Sequence, residues 1–263
     1  MATDLEERHW EELKAAMVRG GAPEVIRFID SIEDGETRRT VYAIAQKRFG
    51  NRKDTDRNFD ALIDIVTEGI GDTLQQALVA EDGEEAWKLT DFANRLSYNL
   101  SADLAECWPG DDAPRERHHF EAGLRAAEDC IRWRRELGKP PDRRAMAYWI
   151  AGMHQLSLAN LHEARGAFET ASGLARLAVL GTGRDEIKAG SDFGVLLYAG
   201  YLGIVRAMLG ESEGRAQYEA ACEAFDATAA KAEGEEKEDA VFGAEQLRWV
   251  ARKFLPETAN SQH

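Results

Sequence analysis

The chain has 263 residues, with 48 acidic side chains against 33 basic ones, a formal charge of −15, and 44% apolar residues. This composition excludes a disordered chain, and the excess of carboxylates disfavours a nucleic-acid partner, whose phosphates it would repel. No uninterrupted apolar run is long enough to span a membrane, and the three cysteines (Cys107, Cys130, Cys222) are widely spaced without a CxxC pair, so a reducing cytoplasmic location is expected.

Alanine, leucine, glutamate and arginine dominate, apolar residues recur at three- and four-residue intervals, and period-two alternation is hard to find, which predicts an all-α protein. The N-terminal stretch is charged and amphipathic, without the apolar core of a signal peptide. A first helix is predicted over about 4–18, with Leu5, Trp10, Leu13 and Met17 inward and "RGGAP" as its stop. A second runs from Pro23 to Ile32 and a third from Glu36 to Phe49, ended by Gly50. After the polar loop "GNRKDTDRN", Asp56 could cap a helix carrying Phe59, Leu62, Ile63 and Val66, with Gly69 and Gly71 marking a break or bend before about Ala80. "EDGEE" precedes a helix with Trp87, Phe92, Leu96, Leu100 and Leu104 on one stripe, and "CWPGDDAP" breaks the chain after it. Phe120, Leu124, Ala127 and Ile131 form the next stripe, which stops at "LGKPPD". Helical segments follow through 147–176, 190–209 and the stretch after "GES", and the last helix carries Val241, Leu247, Val250 and Phe254 before Pro256 and a polar tail. Ten or eleven helices are expected, read as residues 1–83 and 84–263 of one continuous domain.

Residues 148–171 have an internal pattern. Tyr148, Gly152, Ala164, Phe168 and Ala171 place a bulky residue and a small one on one helix, then small, aromatic and small residues on the next. Tyr198, Leu202, Gly214, Tyr218 and Ala221 repeat these offsets, and Leu100, Phe120 and Gly123 offer a weaker third copy interrupted by "WPGDD". The segment resembles a tetratricopeptide repeat, departing from it at Ala151, Gln155 and Arg176 and in the spacing between copies. The resemblance implies antiparallel helical hairpins stacked as an α-solenoid or compact array. It also implies a concave surface for a protein or peptide and no catalysis.

Catalytic and cofactor motifs are absent: no HExxH, GxGxxG, GxxxxGK, GxSxG or calcium loop occurs, so neither enzyme activity nor a cofactor is expected. His154 and His162 would lie about 12 Å apart on one helix, too far to share a metal, and the repeat reading puts a turn near Asn160 between them. His118 and His119 are adjacent and point apart on a helix, with Glu116 and Glu121 near His119, and no metal is predicted. Cys107 sits at a helix C-terminus, where a thiolate is disfavoured, and Cys130 and Cys222 read as core residues.

Two basic islands stand out: Arg132, Arg134, Arg135, Lys139, Arg143 and Arg144, and Arg38, Arg39, Lys47, Arg48, Arg52, Lys53 and Arg57. They read either as a patch for an acidic partner or as one side of inter-helix salt bridges. If inner helices around 92–104, 145–158 and 195–208 face a groove, Asn94, Asn99, Trp149, Gln155, Tyr198 and Tyr201 would line it. Tyr148, His154, His119 and Arg135 complete the candidate binding set. The leading expectation is a non-enzymatic scaffold or regulator that binds a protein or peptide, and the acidic charge accommodates a basic one. Two alternatives stand beside it. The charge fits an acidic antidote of a basic toxin, and His119, Trp149, His154 and the arginines from Arg132 to Arg144 could instead line a small-molecule or catalytic pocket between the helical halves.

Overall fold

The structure is a computed structural model that describes residues 2–53 and 57–255, with side chains from Glu6 onward. Leu5, Asp56 and Pro256, named above, therefore lie outside the described side chains. Among the described residues there are ten helices and no strand: α1 (Ala2–Asp30), α2 (Gly35–Phe49), α3 (Phe59–Val79), α4 (Gly83–Leu104), α5 (Arg117–Glu136), α6 (Pro141–Ser157), α7 (Leu161–Ala178), α8 (Phe193–Met208), α9 (Gly214–Ala229) and α10 (Gly234–Phe254). Each packs mainly on its neighbours in sequence within two compact units, Met1–Leu104 with Asp112–Gly138, and Ala105–Asp111 with Lys139–His263. Position 83/84 falls inside unit 1, at the first residue of α4, which packs on α3.

The stops read from sequence work through local chemistry. α1 is broken where Gly20 and Gly21 leave helical geometry, Gly21 at φ +68°, so Pro23 opens a second helical segment. The Asp34 carboxylate accepts from the Thr37 amide at 2.8 Å to cap α2, and Asn58 accepts from Ala61 at 2.9 Å to cap α3. The break allowed for at Gly69 and Gly71 does not occur, and α3 is continuous. Gly69 instead admits the Tyr42 ring, whose Cγ would stand 2.6 Å from a Cβ there. Trp87 of α4 and Val241 of α10, both read as core stripe, are 43% and 39% exposed. Helical spacing puts them on the apolar stripe, but tertiary packing leaves both partly open to solvent.

In unit 1, α1, α2 and α3 close around Leu13, Val25, Ile29, Val41, Tyr42 and Ile65. A second cluster joins Phe59, Leu62 and Val66 of α3 to Leu96, Leu100 and Leu104 of α4 and to Ala122 and Ala126 of α5. In unit 2, α6–α7 and α8–α9 are hairpins, and α10 packs on α8 and α9. Phe168 fills the space left by Gly152, with its Cε1 2.7 Å from where a Cβ would be, and Gly203 brings α8 against the α9 backbone. The small and aromatic residues of the repeated pattern therefore lie in the hairpin seams. Residues 179–192 separate the two hairpins, which accounts for the long spacing between copies. His154 and His162 fall on separate helices, α6 and α7.

Candidate binding surfaces

The groove candidates of unit 2 are in its interior. Trp149 is 4% exposed, Tyr198 6%, and Tyr201 and His154 0%. The reason is tertiary: Ala105–Asp111 lies over Trp149 and Tyr201. Trp108 meets the Trp149 ring edge-on at 6.0 Å and stacks on Phe242 at 6.3 Å, while Tyr201 stacks on Phe168 at 5.4 Å. Cys107 is fully buried beside the Tyr201 hydroxyl, and Glu106 pairs with Lys253 at 3.6 Å. Burial pushes the Tyr201 phenol well above its ordinary pKa, so it stays neutral. No open groove is lined by these four residues, a correction to the expectation from sequence. Tyr148 and Gln155 are half-buried, and Gln155 Oε1 accepts from Asn160 Nδ2 at 2.8 Å in the α6–α7 turn.

The candidates of unit 1 divide. Asn94 is buried, and its Oδ1 accepts from Cys130 Sγ at 3.0 Å and from Arg134 Nε at 3.4 Å, which ties α4 to α5. Its amide is already satisfied and serves packing. Asn99 and Arg135 are exposed and do not converge with Asn94. Much of the second basic island is consumed internally: Arg38 grips Asp72 through two hydrogen bonds of 3.0 and 2.8 Å, Arg48 reaches Glu7 at 2.8 Å, and Arg52 reaches Asp103 at 3.1 Å. In the other island, Arg132 pairs with Asp129 at 2.6 Å and the Arg134 guanidinium lies 4.5 Å from the Tyr98 ring centre.

His119 belongs to a cluster that the sequence did not reveal. Asp60, at the start of α3, accepts from His118 Nε2 at 2.6 Å and from His119 Nε2 at 3.1 Å, at the start of α5. The Glu116 amide donates to His119 Nδ1 at 2.9 Å, so the proton of the neutral ring is on Nε2, facing Asp60. Ligand atoms of the three residues lie within 4.8 Å of one another, as metal ligands would. The donors do not suit a cation, because His119 turns N–H rather than a lone pair inward and both helix N-termini carry partial positive charge. The cluster is a hydrogen-bonded clasp between α3 and α5.

The clasp has a pH signature. The hydrogen bond to Asp60 raises the His118 pKa, the same bond lowers that of Asp60, and burial lowers that of His119. The His118 contribution to stability is complete below the ordinary imidazole value of about 6.5 and is lost as pH rises through its higher folded value. The Asp60 contribution is present above about 3.9 and is lost as pH falls through its lower folded value. His119 acts oppositely to His118, since charging it below about 6.5 disfavours the fold. An NMR titration of the imidazole carbons should place the His118 midpoint above that of His119, and Asp60→Asn should lower both, because the carboxylate raises each. Equal midpoints in the unaltered protein would remove the clasp.

Beyond the clasp, α3 and α5 flank α4 and leave a cleft of about 790 Å³. Ile63 and Ile70 form the α3 wall, Ala122 and Ala126 the α5 wall, and Leu100 with Ser97 the floor, while Pro23 and Ile26 of α1 border it. Ser97 Oγ already donates to the Ala126 carbonyl at 2.7 Å. The rim carries Asp64 and Glu68 from α3 and Arg125 and Asp129 from α5. Asp64, Glu68 and Arg125 are exposed and pair with no described residue.

These features define the class: an all-α array of helices packed on their sequence neighbours, compatible with a helical repeat, in which no described helix is long and apolar enough to cross a membrane. The chain matches no protein family and no curated protein.

Proposed function

We propose that this protein is a non-enzymatic helical-hairpin module, tetratricopeptide-like in its C-terminal half, that acts as a scaffold or regulator by binding a protein or peptide. The observation that carries the proposal is the unit 1 cleft, an apolar trough with partly exposed Ile26, Ile63 and Ile70 and a charged rim on which Asp64, Glu68 and Arg125 pair with no described residue. Solvent-exposed apolar concavities edged by polar groups are characteristic of interaction sites, because a partner recovers the hydrophobic free energy that solvent withholds. The net charge of −15 favours a basic partner. A cytoplasmic location is part of the same proposal, supported by three buried cysteines, among which no disulfide is described.

A photo-crosslinking residue in place of Thr67, exposed on the cleft, tests the reading in native lysate. The expected result is a discrete protein adduct that is missing when the crosslinker replaces exposed Glu85 of α4 instead. The same adducts from both positions, or none from either, would remove the cleft as a binding site.

A further inference from the structure

The unit 1 cleft also carries information about the shape and charge of its occupant, and the inference drawn here rests on the binding role proposed above. Its lining is mostly apolar or charged, with Thr67 and Ser97 as its hydroxyls and no asparagine or glutamine. The hydroxyl on its floor, Ser97, is already committed to a carbonyl. An extended peptide laid there would find only Thr67 and the rim charges to pair with its backbone N–H and C=O groups, whereas a helix satisfies its own. Ala122 and Ala126 are one turn apart on α5, so that wall is low and lets a helix axis approach closely.

The charges define the register. Asp64 and Glu68 are also one turn apart, on the opposite wall, where their Cβ atoms are about 6 Å from one another. Both lie within α3, beyond its first turn, so the helix dipole does not account for them. Across the cleft, Asp129 is paired with Arg132, which leaves Arg125 as the unpaired charge of that wall. We infer that the cleft docks an amphipathic α-helix whose apolar stripe faces Leu100 and whose two basic residues, one turn apart, face Asp64 and Glu68. A helix presents lysine or arginine at positions i and i+4 with the spacing that these two carboxylates require.

The test uses two fluorescein-labelled helical peptides of about 16 residues with the same leucine–alanine stripe. One carries lysines at i and i+4 on the flank, and the other carries glutamates there. Fluorescence anisotropy with the full chain should show the lysine peptide binding more tightly. Asp64→Lys with Glu68→Lys should weaken it roughly tenfold or more and strengthen the glutamate peptide, because two attractions become repulsions. Glu235→Lys with Glu236→Lys makes the same change in net charge on exposed residues of unit 2 and should alter binding much less. The milder pair Asp64→Asn with Glu68→Gln repeats the comparison, with circular dichroism verifying the fold of each variant. Equal binding of both peptides, no binding of the lysine peptide, or equal loss in the unit 2 control each overturns the inference. If the Thr67 adduct forms while the peptide test fails, the binding role stands and the basic helix is wrong. If neither succeeds, both fall.

Discussion

Trp149→Ala should lower the unfolding free energy by about 3–5 kcal/mol, the range for deleting a large buried aromatic side chain. Trp149 is 4% exposed and stands about 6 Å from the ring centres of Trp108, Tyr198 and Tyr201, so truncation leaves a cavity walled by aromatic side chains. On an open groove the same change would remain within about 0.5 kcal/mol, so the measurement separates the two placements. Urea denaturation followed by circular dichroism gives the difference without depending on the removed fluorophore. A loss below about 1 kcal/mol would mean that Ala105–Asp111 does not seal this cluster in solution. Trp108→Ala should destabilise less, because Trp108 itself is only partly buried.

Gly203→Ala should destabilise unit 2 by about 3 kcal/mol, at or above the upper end of ordinary overpacking. Its Cβ would lie 2.5 Å from the Tyr218 backbone nitrogen and 2.8 Å from the Gly214 carbonyl oxygen, both on α9. Backbone atoms inside a hydrogen-bonded helix cannot rotate aside as a side chain can, so the α8–α9 hairpin must open. Gly71→Ala is the control with the opposite sign. Its site on α3 is exposed with nothing within 4 Å of the new carbon, and a helix-interior glycine replaced by alanine gains about 0.5–1 kcal/mol. If the two substitutions had similar effects, close approach of α8 and α9 would be ruled out.

The seam at Gly203 was partly legible in the sequence. The matching offsets of Tyr148, Gly152, Ala164, Phe168 and Ala171 with Tyr198, Leu202, Gly214, Tyr218 and Ala221 are local, and they led to two hairpins of small residues against aromatics. The turn that separates His154 from His162 followed from the same pattern. The candidate site was far less legible. Asp60 and His118 are 58 residues apart and meet only because α3 and α5 flank one helix. Trp149 and Tyr201 were read as groove residues because nothing in their own helices shows that residues 105–111 cover them.

Apolar period, glycine and proline stops, and capping residues were enough to determine that the chain is all helical and close to where most helices end. These are interactions within about four residues of each other, and sequence displays them directly. Which aromatic faces are sealed, which arginines are spent on nearby carboxylates, and where an apolar trough remains open with Asp64, Glu68 and Arg125 unpaired were decided by tertiary structure alone. Each depends on which helices become neighbours, and helical periodicity marks an apolar face without saying what, if anything, covers it.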